Sequence, residues 1–376
     1  MTPRPDRYNR AVARVLNADT CSGCGACALI NPDYATRLNA AGYNRPVKTG
    51  STPFTRAQLA TRTADFEASG IAGALALVHT DNGRIDLTQQ ASSGDFPRYD
   101  APVLPLSDDT RGIYGDITGE FIQDVNLTPN FPVSGALAAE MWRLQFGVTV
   151  DGVISLDPVT LSYLLAATGP ITLPTGDVLT AENTVQLLLA DVYTRYSSPA
   201  DQDTFFAAAA SSVFEAVAGG SANPVQLIAA LARAGAEHRT LIYNVRPDEQ
   251  AVLANTTIAG GLAVSTAAEK RFGVYFNEGT SSKMNSFLDV KLAVGQAVCR
   301  GDERPQFAVT VTLTNTAPAD AATALPPYIA GSGANGIADA HVNPLVSVYG
   351  APDMQNLGLP SLSTLSKAPG SSRIVS

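Results

Sequence analysis

The chain has 376 residues, of which 45 % are hydrophobic and 16 % charged, and its formal net charge is −9. That composition can bury a substantial core and excludes global disorder, while the length admits two domains or one large one. The charge is uneven: residues 1–49 hold seven Lys/Arg against three Asp, about +4, which leaves about −13 on the remainder. An acidic body excludes nucleic acid as an expected partner, and the short basic segment does not reverse that. No apolar run reaches the roughly 18 residues of a membrane span. The opening M-T-P-R-P-D-R-Y-N-R, followed by A-V-A-R-V-L, is too short and too charged for a signal peptide, so the chain as it stands reads as cytoplasmic.

In chain order, the first feature is C-S-G-C-G-A-C, which places Cys21, Cys24 and Cys27 at C-x-x-C-x-x-C spacing. Thiolates so spaced, on a turn loosened by Gly23 and Gly25, can converge on one metal centre, as an iron–sulfur cluster requires. Cys299, the fourth cysteine, is far away in sequence. Zinc is the weaker candidate, because the nearest histidine is His79. Residues 1–49 are read as a cysteine-rich, iron–sulfur-like segment and 50–70 as a linker or weak helix.

Two β runs, I-A-G-A-L-A-L-V-H and R-I-D-L, then flank T-D-N-G. Asn82-Gly83 supplies the positive φ of a tight turn, so a hairpin is expected. Residues 90–133 are rich in Gly, Pro, Asp and Asn and read as long loops, of the kind that carries function. The pattern turns helical from Pro132, with Leu137, Met141, Leu144 and Phe146 near one face and a stop at Gly147. A buried strand, V-D-G-V-I-S-L, follows. Asp157 is an N-cap with Pro158 in the first turn of the next helix, Thr180 caps another, and helices cover 201–218 and 223–238. A short strand at Leu241–Val245 and a short helix at Pro247–Ala254 close this part. After residue 270 the texture turns to β, with F-G-V-Y-F, F-L-D-V-K-L-A-V, F-A-V-T-V-T-L-T and L-V-S-V-Y between turn residues. The expected domains are therefore an α/β domain over 71–270, a small antiparallel β domain over 271–350 and a flexible tail over 351–376.

Two resemblances add to this. D-T-C-S-G-C-G-A-C-A-L-I-N-P-D and R-L-N-A-A-G-Y-N-R-P-V resemble the N-terminus of the deazaflavin-dependent hydrogenase/dehydrogenase beta-subunit family, which are iron–sulfur flavoproteins. That likeness spans about residues 10–48. It implies a cluster on Cys21, Cys24 and Cys27. Residues 70–350 resemble domain-of-unknown-function family 4012. The matching stretches are G-A-L-A-L-V-H-T-D-N-G-R-I-D-L, D-V-N-L-T-P-N-F-P, V-D-G-V-I-S-L-D-P-V-T-L-S-Y-L-L-A-A-T-G-P-I-T-L-P, L-T-A-E-N-T-V-Q-L-L-L-A-D-V-Y and G-V-Y-F-N-E-G-T-S-S-K-M. Members of that family usually carry a membrane anchor and are extracytoplasmic. Here the cysteine segment stands in its place, with F-E-A-S-G-I as the seam of a truncated or fused product.

That family in turn is similar to the LytR–CpsA–Psr cell-wall ligases, which move a glycopolymer from a polyprenyl-pyrophosphate carrier to peptidoglycan. The likeness implies an α/β (α+β) fold with a mixed sheet flanked by helices. It also implies a polyprenyl-phosphate-linked glycan or cell-wall polymer as partner. A pyrophosphate pocket needs converging arginines, and the candidates are Arg84, Arg98, Arg111 and Arg195. The corresponding motif positions carry mostly Asp and Asn, with Asp95 and Asn126 foremost. The pocket is then degenerate, or it uses carboxylates and a divalent cation.

Plainer roles stand beside these. Asp95 and Asn126 suit loop hydrogen bonds or Asx turns, and Asp157 suits a helix cap. Asp191, Arg195, Asp201 and Asp203 suit a solvated helix end, and His238 a helix C-terminus. No Ser-His-Asp order, G-x-S-x-G, P-loop or G-x-G-x-x-G motif occurs. Three functions follow in order: a degenerate ligase-like domain of the cell envelope, an iron–sulfur electron-transfer fragment joined to an inactive domain, and a glycopolymer-binding or structural module without turnover.

Overall fold

The computed structural model describes residues 34–38, 44–48, 65–68 and 73–350 with Met354, apart from residues 83, 197, 221, 263–264, 266–270, 280–281, 298–305 and 332–336. Cys21, Cys24, Cys27 and Cys299 lie outside the described residues.

By contacts the chain divides into two compact units, Met1–Ala64 with Asp289–Thr314, and Asp65–Leu288 with Asn315–Ser376. The first holds two strand pairs. In one, β1 (Tyr34–Leu38) runs antiparallel to β2 (Asn44–Lys48); the other is the strand pair of β11 (Leu288–Ala297) and β12 (Gln306–Asn315).

The second unit is a mixed α/β body with small sheets, the class expected from the sequence. β3 (Asp65–Ala68) lies in the stretch read as linker or weak helix. It pairs parallel with β10 (Gly273–Glu278), which pairs antiparallel with β13 (Pro344–Tyr349). β10 is the central strand of the three, and its consecutive residues Val274, Tyr275, Phe276 and Asn277 are all buried, so both its faces are covered.

The expected hairpin is present as β4 (Ala74–Asp81) and β5 (Arg84–Ser92), and Asn82 has φ +49°. Among the described residues β5 is paired in the sheet with β4 alone. Residues 90–133 are not the long loops expected. They hold short elements: α1 (Asp108–Tyr114) and 3-10 turns at Ser93–Asp95, Asp116–Gly119 and Ile122–Leu127. Such turns need little apolar periodicity, and Gly, Asp and Asn suit their caps, which is why composition alone reads as loop.

α2 (Phe131–Phe146) ends on Gly147 at φ +72°, as its sequence predicts. Leu137, Met141 and Trp142 are buried on it, but Leu144 is 45 % exposed. β6 (Gly152–Leu156) pairs with β9 (Thr240–Asn244). It is not the buried strand expected: every second residue faces out, and Ile154 is 63 % exposed. α3 (Pro158–Thr168) is capped by Asp157, whose Oδ1 accepts from Thr160 N at 2.7 Å.

β7 (Ile171–Thr172) and β8 (Val178–Leu179) form a small ladder. Thr180 Oγ1 then accepts from Glu182 N and Asn183 N, as the expected cap. The helical run behind it comprises α4 (Thr184–Gln186), a π-turn at Leu187–Asp191, and α5 (Val192–Arg195). α6 (Pro199–Ala218) and α7 (Pro224–Ala236) follow, the second capped by Asn223, which accepts from Val225 N and Gln226 N. α8 (Pro247–Leu253), α9 (Ala321–Ala324) and α10 (Pro327–Ala330) complete the helices.

Three apolar clusters hold this body. One packs Leu165, Leu179, Leu188 and Val192 on Phe205 and Val213. A second joins Phe96, Ile122, Val125, Leu137, Met141 and Trp142. A smaller third is built on Met284, Ile329 and Val342.

Candidate functional site

The residues after β5 are laid onto α2 by aromatic packing. The Phe96 ring stands edge-on to Phe146 at 5.5 Å, and Trp142 lies 4.5 Å from Phe146. Gln145 Nε2 donates to Asp95 O at 2.6 Å. The Asp95 carboxylate accepts from Ser92 N at 2.7 Å, closing a capping box, so this candidate serves the backbone of its own turn.

The same stretch meets the 3-10 turn at Ile122–Leu127. Tyr99 N donates to Glu120 O, Gln123 Nε2 donates to Ser93 Oγ at 2.6 Å, and the Arg98 guanidinium lies 5.2 Å over the Phe121 ring. Arg98 reaches Asp124 only at 3.8 Å. Burial therefore decides the Asp124 carboxyl and raises its pKa; the pull of Arg98 is the smaller effect, and nearby Glu120 adds to the rise. Asn126, half-buried, stands two residues further on the same turn, and Leu127 O accepts from Asn277 of β10. The structure thus gathers Asp95, Arg98 and Asn126 into one neighbourhood and adds Asp124, which the sequence reading passed over. A raised carboxyl pKa has no sequence signature, because burial causes it.

The remaining arginines are not gathered there. Arg84 pairs with Asp86 at 2.9 Å on β5, Arg111 with Asp116 at 2.6 Å just past α1, and Arg195 at the end of α5 with Asp177 beside β8. All four candidate arginines have an aspartate partner. They also stand apart along the fold, Arg84 on β5, Arg98 in the loop after it, Arg111 on α1 and Arg195 on α5. Among the described residues no group of three or more His, Cys, Asp or Glu could hold a metal ion.

A groove of about 640 Å³ runs along β5, from Arg84 to Gln90, and faces the last turns of α6. Gln90 fastens strand to helix. Its Nε2 donates to Ala207 O at 3.0 Å, and its Oε1 accepts from Ser211 Oγ at 3.2 Å. Asp86, Thr88, Gln89 and Glu215 line the groove with donors and acceptors, and Phe214 adds an aromatic ring.

A polar network sits at the α3–α7 contact. Glu237 accepts from Tyr163 Oη at 2.7 Å, Arg233 Nε at 2.9 Å and Arg239 Nε at 3.0 Å. These bonds, Tyr163 first, bring its pKa down to about 2. The sequence reading assigned no role to this network, whose partners are far apart along the chain.

Among the described residues no helix is long and apolar enough to cross a membrane. No curated protein and no solved structure matches the chain. The resemblance that does register covers about a third of the chain: residues 63–193 match the family described as Protein of unknown function (DUF4012).

Proposed function

We propose that the larger unit is a cell-envelope module that grips a glycopolymer without turning it over. The pairing of Arg84, Arg98, Arg111 and Arg195 with aspartates carries this reading. A ligase acting on a pyrophosphate-linked carrier would need guanidinium groups that converge and are free to take phosphate oxygens. The β5–α6 groove holds a single guanidinium, that of Arg84, and it is paired with Asp86. Its volume lies in the range of about 300–1,000 Å³ for ligand sites, and the rest of its lining mixes amide, hydroxyl and carboxylate groups with aliphatic side chains and one aromatic ring. Sugar hydroxyls are donors and acceptors at once, and their C–H faces stack on aromatic rings, so that lining suits a neutral carbohydrate better than a polyanion. The family likeness over residues 63–193 includes β5 but not α6, and the family description names no ligand.

The test is co-sedimentation of the protein with insoluble cell-wall polysaccharide, beside the single variants Gln89→Ala and Phe214→Ala. Wild type should pellet with the polymer, each variant should weaken retention about tenfold or more, roughly 1.4 kcal/mol, and the recovered polymer should keep its length. Retention unaffected by both substitutions would remove the groove from the function. Transfer of glycan from a polyprenyl-pyrophosphate donor would restore the ligase reading.

A further inference from the structure

The strongest unassigned group is Lys283. Its backbone is pinned, with N donating to Ile329 O at 3.0 Å, and the next residue, Met284, is fully buried in the third core cluster. The side chain is thereby directed between two phenols: Nζ lies 5.2 Å from the Tyr193 ring centroid and 5.7 Å from that of Tyr328. The two rings are 5.8 Å apart, and Phe206 continues the wall behind Tyr193 at 6.1 Å. Among the described residues no carboxylate pairs with this amine. The aromatic faces favour the ammonium, while burial works against it and pushes the Lys283 pKa below the ordinary lysine value. Tyr328 is 39 % exposed, so the cage has an open side.

We propose that Lys283 is a nucleophilic amine that condenses with the carbonyl group of a small aldehyde. An amine withdrawn from water and left without a counter-ion is the usual way a lysine becomes a nucleophile near neutral pH. Its lone pair would attack the carbonyl carbon. The carbonyl oxygen takes up a proton to give a carbinolamine, and loss of water leaves the imine. No oxidant or reductant enters the step. The neighbouring phenols can lend a proton to the departing hydroxyl. Burial keeps both protonated, and the charge of Asp203 adds to the effect at Tyr328. The inference is independent of the glycopolymer groove: the two share only α6, which gives Asp203 and Phe206 to the surroundings of Lys283 and Ser211, Phe214 and Glu215 to the groove.

The test uses the full chain, benzaldehyde and sodium cyanoborohydride, which reduces any imine to a stable benzylamine, with the modified lysine located by peptide mass spectrometry. The chain has only five lysines, Lys48, Lys270, Lys283, Lys291 and Lys367, so the readout is simple. Lys291, with a 67 % exposed side chain, is the internal control. At pH 7 Lys283 should be labelled several-fold faster than Lys291. The advantage should vanish above about pH 10.4, where ordinary lysines are also neutral. In Tyr328→Ala, water reaches the amine, its pKa returns towards the ordinary value, and the advantage should shrink. Labelling of Lys283 no faster than Lys291 at pH 7, or faster labelling in Tyr328→Ala than in wild type, would overturn the proposal. The second result would show that the rings merely shield the amine.

Discussion

Asp157 and Arg239 are joined by a 2.7 Å contact across 82 positions of sequence, and the same carboxylate caps α3. Oδ1 receives the helix N–H of Thr160 while Oδ2 receives Arg239 Nη1, so one residue fixes both the start of α3 and its junction with β9. The sequence reading found the cap. The ion pair was invisible to it, because nothing local marks Arg239 as the partner.

The two roles are separable. Asp157→Asn keeps a side-chain oxygen for Thr160 N and loses only the charge, whereas Asp157→Ala loses both. The cap is worth about 1 kcal/mol, and the ion pair, with both side chains 36 % exposed, adds at most about 1 kcal/mol. In urea unfolding Asp157→Ala should therefore lose about 1–2 kcal/mol and Asp157→Asn clearly less. Equal losses would mean that the ion pair, not the cap, holds the junction.

Glu237 gives the body an acid limit. Its folded-state pKa is depressed from 4.5 to about 2, chiefly by the Tyr163 hydrogen bond and then by Arg233. Its contribution to stability is therefore complete above about pH 4.5 and is lost as pH falls towards 2. Glu237 is exposed, so the effect is screened and should shrink in high salt. Between those pH values the urea midpoint of wild type should fall more steeply than that of Glu237→Gln. Parallel curves would show that the carboxylate is no better bonded in the folded chain than in the unfolded one.

What was legible in the sequence was what local chemistry decides. Pro158, Pro224, Asn223 and Gly147 marked helix ends because capping needs only neighbours, and Asn82 marked the hairpin for the same reason. What could not be read depends on distant partners. Leu144 and Ile154 look like core residues and are exposed, because which face of an element is covered is decided by packing and not by the local pattern. Arg84, Arg111 and Arg195 look like free cations until the folded chain sets an aspartate beside each. Lys283 carried no signal, since its environment is assembled from residues 193, 206 and 328.

The cysteine triplet, outside the described residues, is expected to bind iron weakly. Three thiolates leave one iron of a four-iron cluster open to water or an outside ligand, which makes the cluster labile to oxygen. Anaerobic reconstitution should give a brown protein that loses iron in air, and Cys24→Ser should bind markedly less. Equal iron content in the two proteins would rule out the triplet as the ligand set.

Helix α2 packs tightly on β9 at Gly135, and two glycine substitutions test it together. A Cβ at Gly135 on α2 would stand 2.5 Å from Tyr243 Cβ and 2.8 Å from its Cγ on β9. Those atoms adjoin the backbone and cannot swing away, so either α2 or the β6–β9 pair must shift. Overpacking of this kind costs about 1–3 kcal/mol, against which alanine recovers up to about 1 kcal/mol of helix propensity. Gly112 on α1 is the control: it is exposed, and a Cβ there meets nothing within 4 Å. Gly112→Ala should therefore raise stability by about 0.5–1 kcal/mol, while Gly135→Ala should lower it by up to about 2 kcal/mol. The measurement is the urea midpoint of each variant. A rise for Gly135→Ala matching that for Gly112→Ala would mean that α2 does not press on β9 as closely as the structure places it.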